Sequence, residues 1–431
     1  MLPLIVQHSD ALTNFVLALQ LALYQPQIRH LLQIVDAMIV CNQRKTLSDL
    51  ARVLHLAPDP KTLADFFRES PWTVDMISKP RKQFMLRILL SLAAKAGFPL
   101  QILTSLDDSL GKKGKATKHL EAVDYHHNHT ESTRKRQSWC NGYVYVELHL
   151  QIGPFGFLFD TRLYLREKKV RQLNRQRSKD KRLSYRSKYN LAREMLLELE
   201  ELLPAGSQVY VLFDSWYASA KLINLCLRKH WQVVCALKSN RKIEKQRIDR
   251  YHQTLKHKPY QKITLEAVGD RRAPTYYVRT VSGHLEKVPP EVYVIISKKR
   301  PGDPRPKYFL CTDTRLSAEE ALKLYQKRWP VEVDNLNLKE VLGLGDFRLQ
   351  AFEAIQKWFA VVTLAINYLQ YTAMLAYRPK QALPSLAECK RQHQQAHVNR
   401  LLCRLVTEIK KKPRRVEAIL QAFLPMYAAG T

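Results

Sequence analysis

The chain has 431 residues, 70 of them Lys or Arg and 39 Asp or Glu, for a formal net charge of +31. Hydrophobic residues make up 46%, which excludes a disordered basic tail, and the length allows several domains around a sizeable core. So large a positive excess repels itself unless it meets an anionic partner, so nucleic acid is the first class to consider and an anionic membrane surface the second.

Residues 1–98 read as helical, with Leu17, Leu21, Tyr24, Ile28, Leu31, Leu32 and Ile34 at helical spacing. The start, MLPLIVQHSDALTNFVLALQ, lacks a basic n-region and a small-residue cleavage site, so it is not expected to act as a signal peptide. Thr46 and Ser48 are N-cap candidates for a short helix that Pro58 and Pro60 would break. Such a trihelical unit is either a helix-turn-helix that reads DNA or a packing domain.

Strand signals begin near residue 100. PLQILTSLDDS is an apolar run closing on Asp107 and Asp108. NGYVYVELHLQI alternates, and a Gly-Pro turn joins it to GPFGFLFDTRLYL, which predicts a β-hairpin. Arg166 to Arg193 then holds 12 Lys or Arg against two acids. QVYVLFDS is a buried strand closing on Asp214, followed by a helix over 218–229 and the strand WQVVCALK. Residues 239–315 are rich in charge, Pro and β-formers, with strands at TYYVRTV, EVYVIISKK and KYFLCT. Helices resume at Ser317, a good N-cap, and run to the C-terminus. The run Trp358 to Tyr377 is long enough to span a bilayer, but Asn367 and Gln370 at its centre favour a buried core helix. Seven dispersed cysteines without a C-x-x-C pair point to reduced thiols and a cytoplasmic chain, not a zinc ribbon.

This element order is that of a ribonuclease H-like α/β core, in which the first strand and the strand after the first helix lie side by side. Asp107 and Asp214 would then converge. A third carboxylate would complete sites for two divalent cations ~4 Å apart, able to activate water and stabilise a leaving 3′-oxygen. Oxygen ligands suit Mg²⁺. LSAEEALKLYQKRWPVEVDNLNLKE, taken as one helix that Pro330 bends, carries Tyr325, Arg328, Glu332 and Lys339 on one stripe. A carboxylate flanked by Arg, Lys and a phenol suits a phosphodiester: Glu332 for metal, Arg328 and Lys339 for phosphate, Tyr325 for a hydrogen bond or stacking. Asp334 is a rival for the metal role.

With LDDSLGKKGK, FDSWYAS and LYQKRWPVEVDNLNLKE in view, the sequence resembles the bacterial insertion-sequence cut-and-paste transposases of the DDE type, marked by a Y-R-E-K signature. The resemblance covers most of residues 100–370. It implies the triad Asp107, Asp214 and Glu332 as both catalytic and metal-binding residues, holding two Mg²⁺ ions that Mn²⁺ could replace. Asp107 is preferred to Asp108 because family members place the acid two residues before a hydroxyl residue, here Ser109. It implies signature residues Tyr325, Arg328 and Lys339 on DNA. It also implies a β-rich insertion between the second Asp and the Glu, for which residues 215–331, 117 in number, leave room.

The domains expected are 1–98, helical and DNA-binding; 99–238 and 316–378, the two parts of the catalytic domain; 239–315, the β-rich insertion; and 379–431, C-terminal helices. Lys112, Lys113 and Lys115 suit a phosphate-contacting loop after Asp107. Arg166, Lys168, Lys169, Arg171, Arg175 and Arg177 suit a DNA clamp. Trp216, Tyr217 and Trp329 are candidates for stacking a flipped base, Trp216 foremost. His126, His127 and His129 read as a surface loop near DNA, not a metal site. The partners implied are double-stranded DNA, as element ends and as target, and a second copy of the chain; no membrane is implied. The place implied is the bacterial cytoplasm, on the nucleoid when bound to DNA. A nuclease without strand transfer, or a non-enzymatic DNA-binding protein, are the rival functions.

Overall fold

Apolar residues three and four apart build α1 (Asp10–Ala18), α2 (Gln25–Val40), α3 (Leu47–Arg52), α4 (Pro60–Arg68) and α5 (Val74–Lys95) ahead of the first strand. The computed structural model describes residues 4–423, apart from 57, 130, 134–135, 256 and 268–271. Thr46 caps α3 by accepting from the Asp49 backbone N at 3.2 Å, whereas Ser48 lies inside that helix. Next come β1 (Gln101–Lys112), β2 (Asp124–His127), β3 (Trp139–Ile152) and β4 (Phe155–Tyr164). α6 (Glu167–Asn174) and α7 (Lys188–Leu202) lead to β5 (Gln208–Phe213), α8 (Ala220–Arg228) and β6 (Gln232–Leu237).

The β-rich stretch holds β7 (Lys242–Ile243), β8 (Gln246–Arg247), α9 (Ile248–Thr254), β9 (Gln261–Thr264), β10 (Thr275–His284), β11 (Glu291–Lys298) and β12 (Lys307–Cys311). Then follow α10 (Ala318–Gln326), α11 (Pro330–Leu336), a π-helical turn (Asn337–Val341), α12 (Phe352–Leu375), α13 (Leu386–Lys411) and α14 (Val416–Phe423).

Ten strands form one sheet, running β3-β1-β5-β6-β12-β11-β10-β9, with β2 and β4 both paired to β3. β1 is antiparallel to β3 and parallel to β5, and β5 is parallel to β6. The architecture is a mixed α/β fold, a large central sheet flanked by helices, as the sequence led us to expect. The strands of the β-rich stretch extend this same sheet through β12, which pairs antiparallel to β6.

Alternation sorts the sheet residues onto two faces. Leu103, Tyr210, Leu212, Val234, Ile295 and Cys311 pack under Ala318, Ala321 and Leu322 of α10. Ile102, Leu106, Val209, Val211, Phe213, Val233 and Cys235 join the larger core with Leu191, Met195, Leu222 and Ile223 of α7 and α8. That core continues into α2, α5 and α12, so the N-terminal helices share it with the sheet. α12 alone among the described helices is long and apolar enough to cross a membrane, and 83% of its apolar window is buried in the protein. Its polar centre is tied to β4: Asn367 Nδ2 donates to Leu158 O at 3.0 Å, and Gln370 Oε1 accepts from Leu158 N at 3.0 Å.

α5 brings two cations into the core. Arg81 donates to Phe159 O at 2.9 Å and to Asn367 Oδ1, and Lys82 bridges Asp160 at 2.8 Å and Glu198 at 2.9 Å. These buried charges fix α5 to β4 and α7, because an ion taken from water must keep its partners.

Candidate active site

β1 does not end at Asp107, contrary to the sequence expectation. It continues paired to β3 as far as Lys112, while its pairing with β5 stops at Leu106–Phe213. Asp107 is therefore the first β1 residue past the end of β5, and Asp214 is the first residue past that end on the other side. The two acids meet at a notch in the sheet, and Asp214 is near enough to raise the affinity of Asp107 for its proton.

The residue pair Asp107–Asp108 is divided by the pleat. Asp107 faces α10 and α11, where Arg328 Nη1 donates to its Oδ2 at 2.9 Å. Asp108 faces α7, where Lys188 Nζ lies 2.6 Å from its Oδ2. Arg328 holds Glu332 with its other terminal nitrogen, so one guanidinium bridges Asp107 and Glu332. Asp214 is fixed by its own turn, its Oδ1 accepting from Trp216 N at 2.9 Å and Tyr217 N at 3.3 Å. Asp107, Asp214, Glu332 and Arg328 thus lie together.

The expected single signature helix is broken. Pro330 has no N–H to donate to Gln326 O, so α10 stops at Gln326 and Pro330 begins α11 as its first residue. A π-helical turn then carries Lys339, which donates to Ser109 Oγ at 2.6 Å and Leu110 O at 3.1 Å. Tyr325 packs edge-on to Phe309 at 4.9 Å, with the Arg328 guanidinium 5.7 Å from its ring. The four signature residues therefore lie on two helices, the turn between them, which carries Arg328, and a π turn. Asp334 does not: it is buried against the core, accepting from His149 at 2.6 Å and Gln370 at 2.7 Å.

Burial pushes the Asp107 carboxyl up to about 6, against the pull of Arg328. Carboxylates crowded in a half-dry notch call for a cation, and Arg328 brings one positive charge to Asp107 and Glu332. The donor set is all oxygen, which fits hard divalent ions such as Mg²⁺ or Mn²⁺.

A fourth acid was missed by the sequence reading. Glu147 lies directly across β3 from Asp107, fully buried, and accepts from Asn335 Nδ2. Burial, with Asp107 and Asp334 adding, raises it well above the usual carboxylate range. Its signal was an acid inside the largely apolar strand YVYVELHL.

The other expected DNA contacts divide. Lys115, Lys168, Arg171 and Arg175 are exposed and Lys169 half-buried, with Arg171 paired to Glu167 one turn before it. Lys112 is exposed but paired with Glu131. Lys113 turns inward, donating to Phe347 O at 2.8 Å with its ammonium 3.9 Å from the Phe347 ring, so its placement does not suit a phosphate contact. Arg177 is claimed by Glu121 and Glu353, and Arg166 by Asp124 at 3.6 Å. Trp216 stacks on Tyr189 at 4.7 Å, and Lys188 Nζ is 5.0 Å from its ring. Tyr217 is wholly buried, which removes it as a stacking surface, while Trp329 is 43% exposed. His127 and His129 touch each other at 3.1 Å on the exposed side of β2.

No curated protein matches the chain significantly. Among solved structures it is similar to a piggyBac transposase in a synaptic complex with hairpin DNA, at 12% identity and a TM-score of 0.46, over 96% of this chain and 83% of that one. That likeness is too distant to bear on function. A family model described as "DDE superfamily endonuclease" matches residues 22–280, more than half of the chain, and includes Asp107 and Asp214. The chain belongs to the DDE superfamily endonucleases.

Proposed function

We propose that this endonuclease is an insertion-sequence transposase of the Y-R-E-K type. In this reading it binds the inverted-repeat ends of a mobile element, cleaves them, and joins the freed 3′-OH ends to target DNA as a homodimer. The observation that carries the reading is the Arg328 bridge between Asp107 and Glu332, with Asp214 just past the end of the neighbouring strand. Residues 99–238 and 316–378 form the catalytic domain, 239–315 its insertion, 1–98 the end-reading helices and 379–431 the C-terminal helices, of which 424–431 lie outside the described residues.

Asp107, Asp214 and Glu332 are the residues that would hold two Mg²⁺ ions. Bound there, divalent metal supplies a nucleophilic hydroxide at neutral pH and neutralises the charge on the leaving oxygen. Arg328 then gains a second role. Freed from the carboxylates, its planar fork can take the scissile phosphate. Lys339, anchored on Ser109, keeps the π turn against β1 and sets a positive charge beside the same phosphate.

The test uses a duplex oligonucleotide carrying the element's end, with Mg²⁺. Asp214→Ala and Glu332→Ala should each lower cleavage by at least about 100-fold while duplex affinity stays within about threefold. Survival of cleavage in either variant would refute the metal assignment. A protein that cuts but never joins a pre-cut 3′ end to a second duplex would be a nuclease alone.

A further inference from the structure

Far from the notch, a second polar cluster joins the two ends of the chain. Asp36 of α2 is fully buried, and no Lys or Arg among the described residues is paired with it. Three imidazoles converge on it instead. His393 Nε2 and His397 Nε2, both on α13, lie 2.7 and 2.9 Å from Oδ1, and His8 Nδ1 lies 2.9 Å from Oδ2. Ser9 N completes the shell of Oδ2 at 3.4 Å.

We propose that Asp36, His393 and His397, with His8 as the fourth ligand, form a structural zinc site that staples α13 to α2. His393 and His397 are one helical turn apart, a spacing that sets two ring nitrogens on one face to grip a single ion. One carboxylate and three imidazoles make a closed set of the kind tetrahedral Zn²⁺ takes. The ligand atoms of Asp36, His393 and His397 already lie within 4.8 Å of one another, and all three side chains are buried. Metal–ligand bonds of ~2.0–2.1 Å set tetrahedral ligand atoms roughly 3.3 Å apart, so each histidine Nε2 would back away from Asp36 Oδ1 by about half an ångström. The next shell also fits. The Tyr368 hydroxyl stands 3.2 Å from His393 Nδ1, placed to accept that N–H and so leave Nε2 free for metal.

Charge and packing explain why an ion belongs there. A fully buried carboxylate is costly unless a cation meets it, and a divalent ion would supply that charge. Besides the two histidines α13 buries only Cys389, Leu401 and Leu405 along 26 residues, with Gln394 Nε2 donating to Val40 O at 2.9 Å, so a metal would add to a modest contact. A clasp between residues 36 and 397 would tether the C-terminal helix to the N-terminal ones, a role separate from the DDE chemistry and independent of the function proposed above.

The full-length Asp214→Ala protein, with its catalytic carboxylates depleted, is the material to test. After dialysis it should retain about one zinc per chain by elemental analysis. Co²⁺ in place of zinc should give the intense visible bands of a tetrahedral site. A strong chelator should lower the thermal midpoint and added Zn²⁺ restore it. His393→Gln with His397→Gln should bring zinc below about a tenth per chain. Should that variant fail to fold, the measurements on the intact cluster still decide. A folded, zinc-free protein whose midpoint ignores chelator, Zn²⁺ and Co²⁺ would overturn the proposal and leave a hydrogen-bonded clasp.

Discussion

Asp107 and Asp108 are adjacent in sequence, yet they have different surroundings because neighbours on a strand point to opposite faces. Only Asp107 shares a face with Arg328 and Glu332; Asp108 is committed to Lys188. Asp107→Asn should therefore abolish cleavage, by about 100-fold or more, whereas Asp108→Asn should cost less than about tenfold in the same assay. Equal losses would mean that the pleat does not separate their roles.

The same scale governs Asp160. Burial pushes its carboxyl up, but Lys82, Arg162 and Arg81 together outweigh burial and hold it well below the usual range. A carboxyl with a depressed folded pKa contributes stability above its unfolded value of about 4 and loses it as pH falls toward the folded value. Asp160→Asn should cost about 3–5 kcal/mol at pH 7, by leaving Lys82 and Arg81 short of an anion, and visibly less at pH 3. Denaturant midpoints at the two pH values check this.

At the scale of elements, the break between α10 and α11 matters most. A straight helix from Ser317 would carry the signature on one continuous stripe. Pro330 instead ends one helix and starts another, and the π turn adds a residue to the following turn. Arg328 sits in the gap, near enough to reach both Asp107 and Glu332.

The β1–β3 pairing that presents Asp107 has its own requirement. Lys112 pairs with Gly142, and a Cβ at Gly142 would fall on the Gly111 carbonyl oxygen. Gly142→Ala should cost more than about 2 kcal/mol, because rigid backbone must move, and should lower cleavage through displaced Asp107. Gly302→Ala meets nothing within 4 Å and should be neutral within about 0.5 kcal/mol. Thermal midpoints of the pair separate strain from a general glycine effect.

Over the whole molecule, the +31 charge is not uniformly available. Arg166, Arg177 and Lys112 are committed to internal acids, and Lys113 to backbone carbonyls. Lys168 and Arg175 of the predicted clamp are exposed and Lys169 is half-buried, and Lys115 is exposed in the loop after Asp107. Duplex affinity should fall steeply with salt. Replacing Lys168, Lys169 and Arg175 with Gln should weaken binding by about tenfold or more at moderate salt and flatten the log–log slope by roughly two to three. An unchanged slope would place the DNA elsewhere.

The sequence by itself determined what local physics encodes. Alternation wrote the β3–β4 hairpin, apolar runs wrote β5 and β6, Ser317 and Thr46 capped their helices, and Asn367 with Gln370 marked α12 as a core helix. It also supplied Asp107, Arg328 and Glu332, which the fold brings together, though not Glu147. Tertiary structure alone decided which of them meet. The meeting of Asp107 with Arg328 spans 221 positions, and that of His393 with Asp36 spans 357. Whether Lys113 faces solvent or a carbonyl, or Glu147 carries a charge, depends on strands and helices packed from elsewhere in the chain. Burial and distance are properties of the packed whole, and no window of sequence contains them.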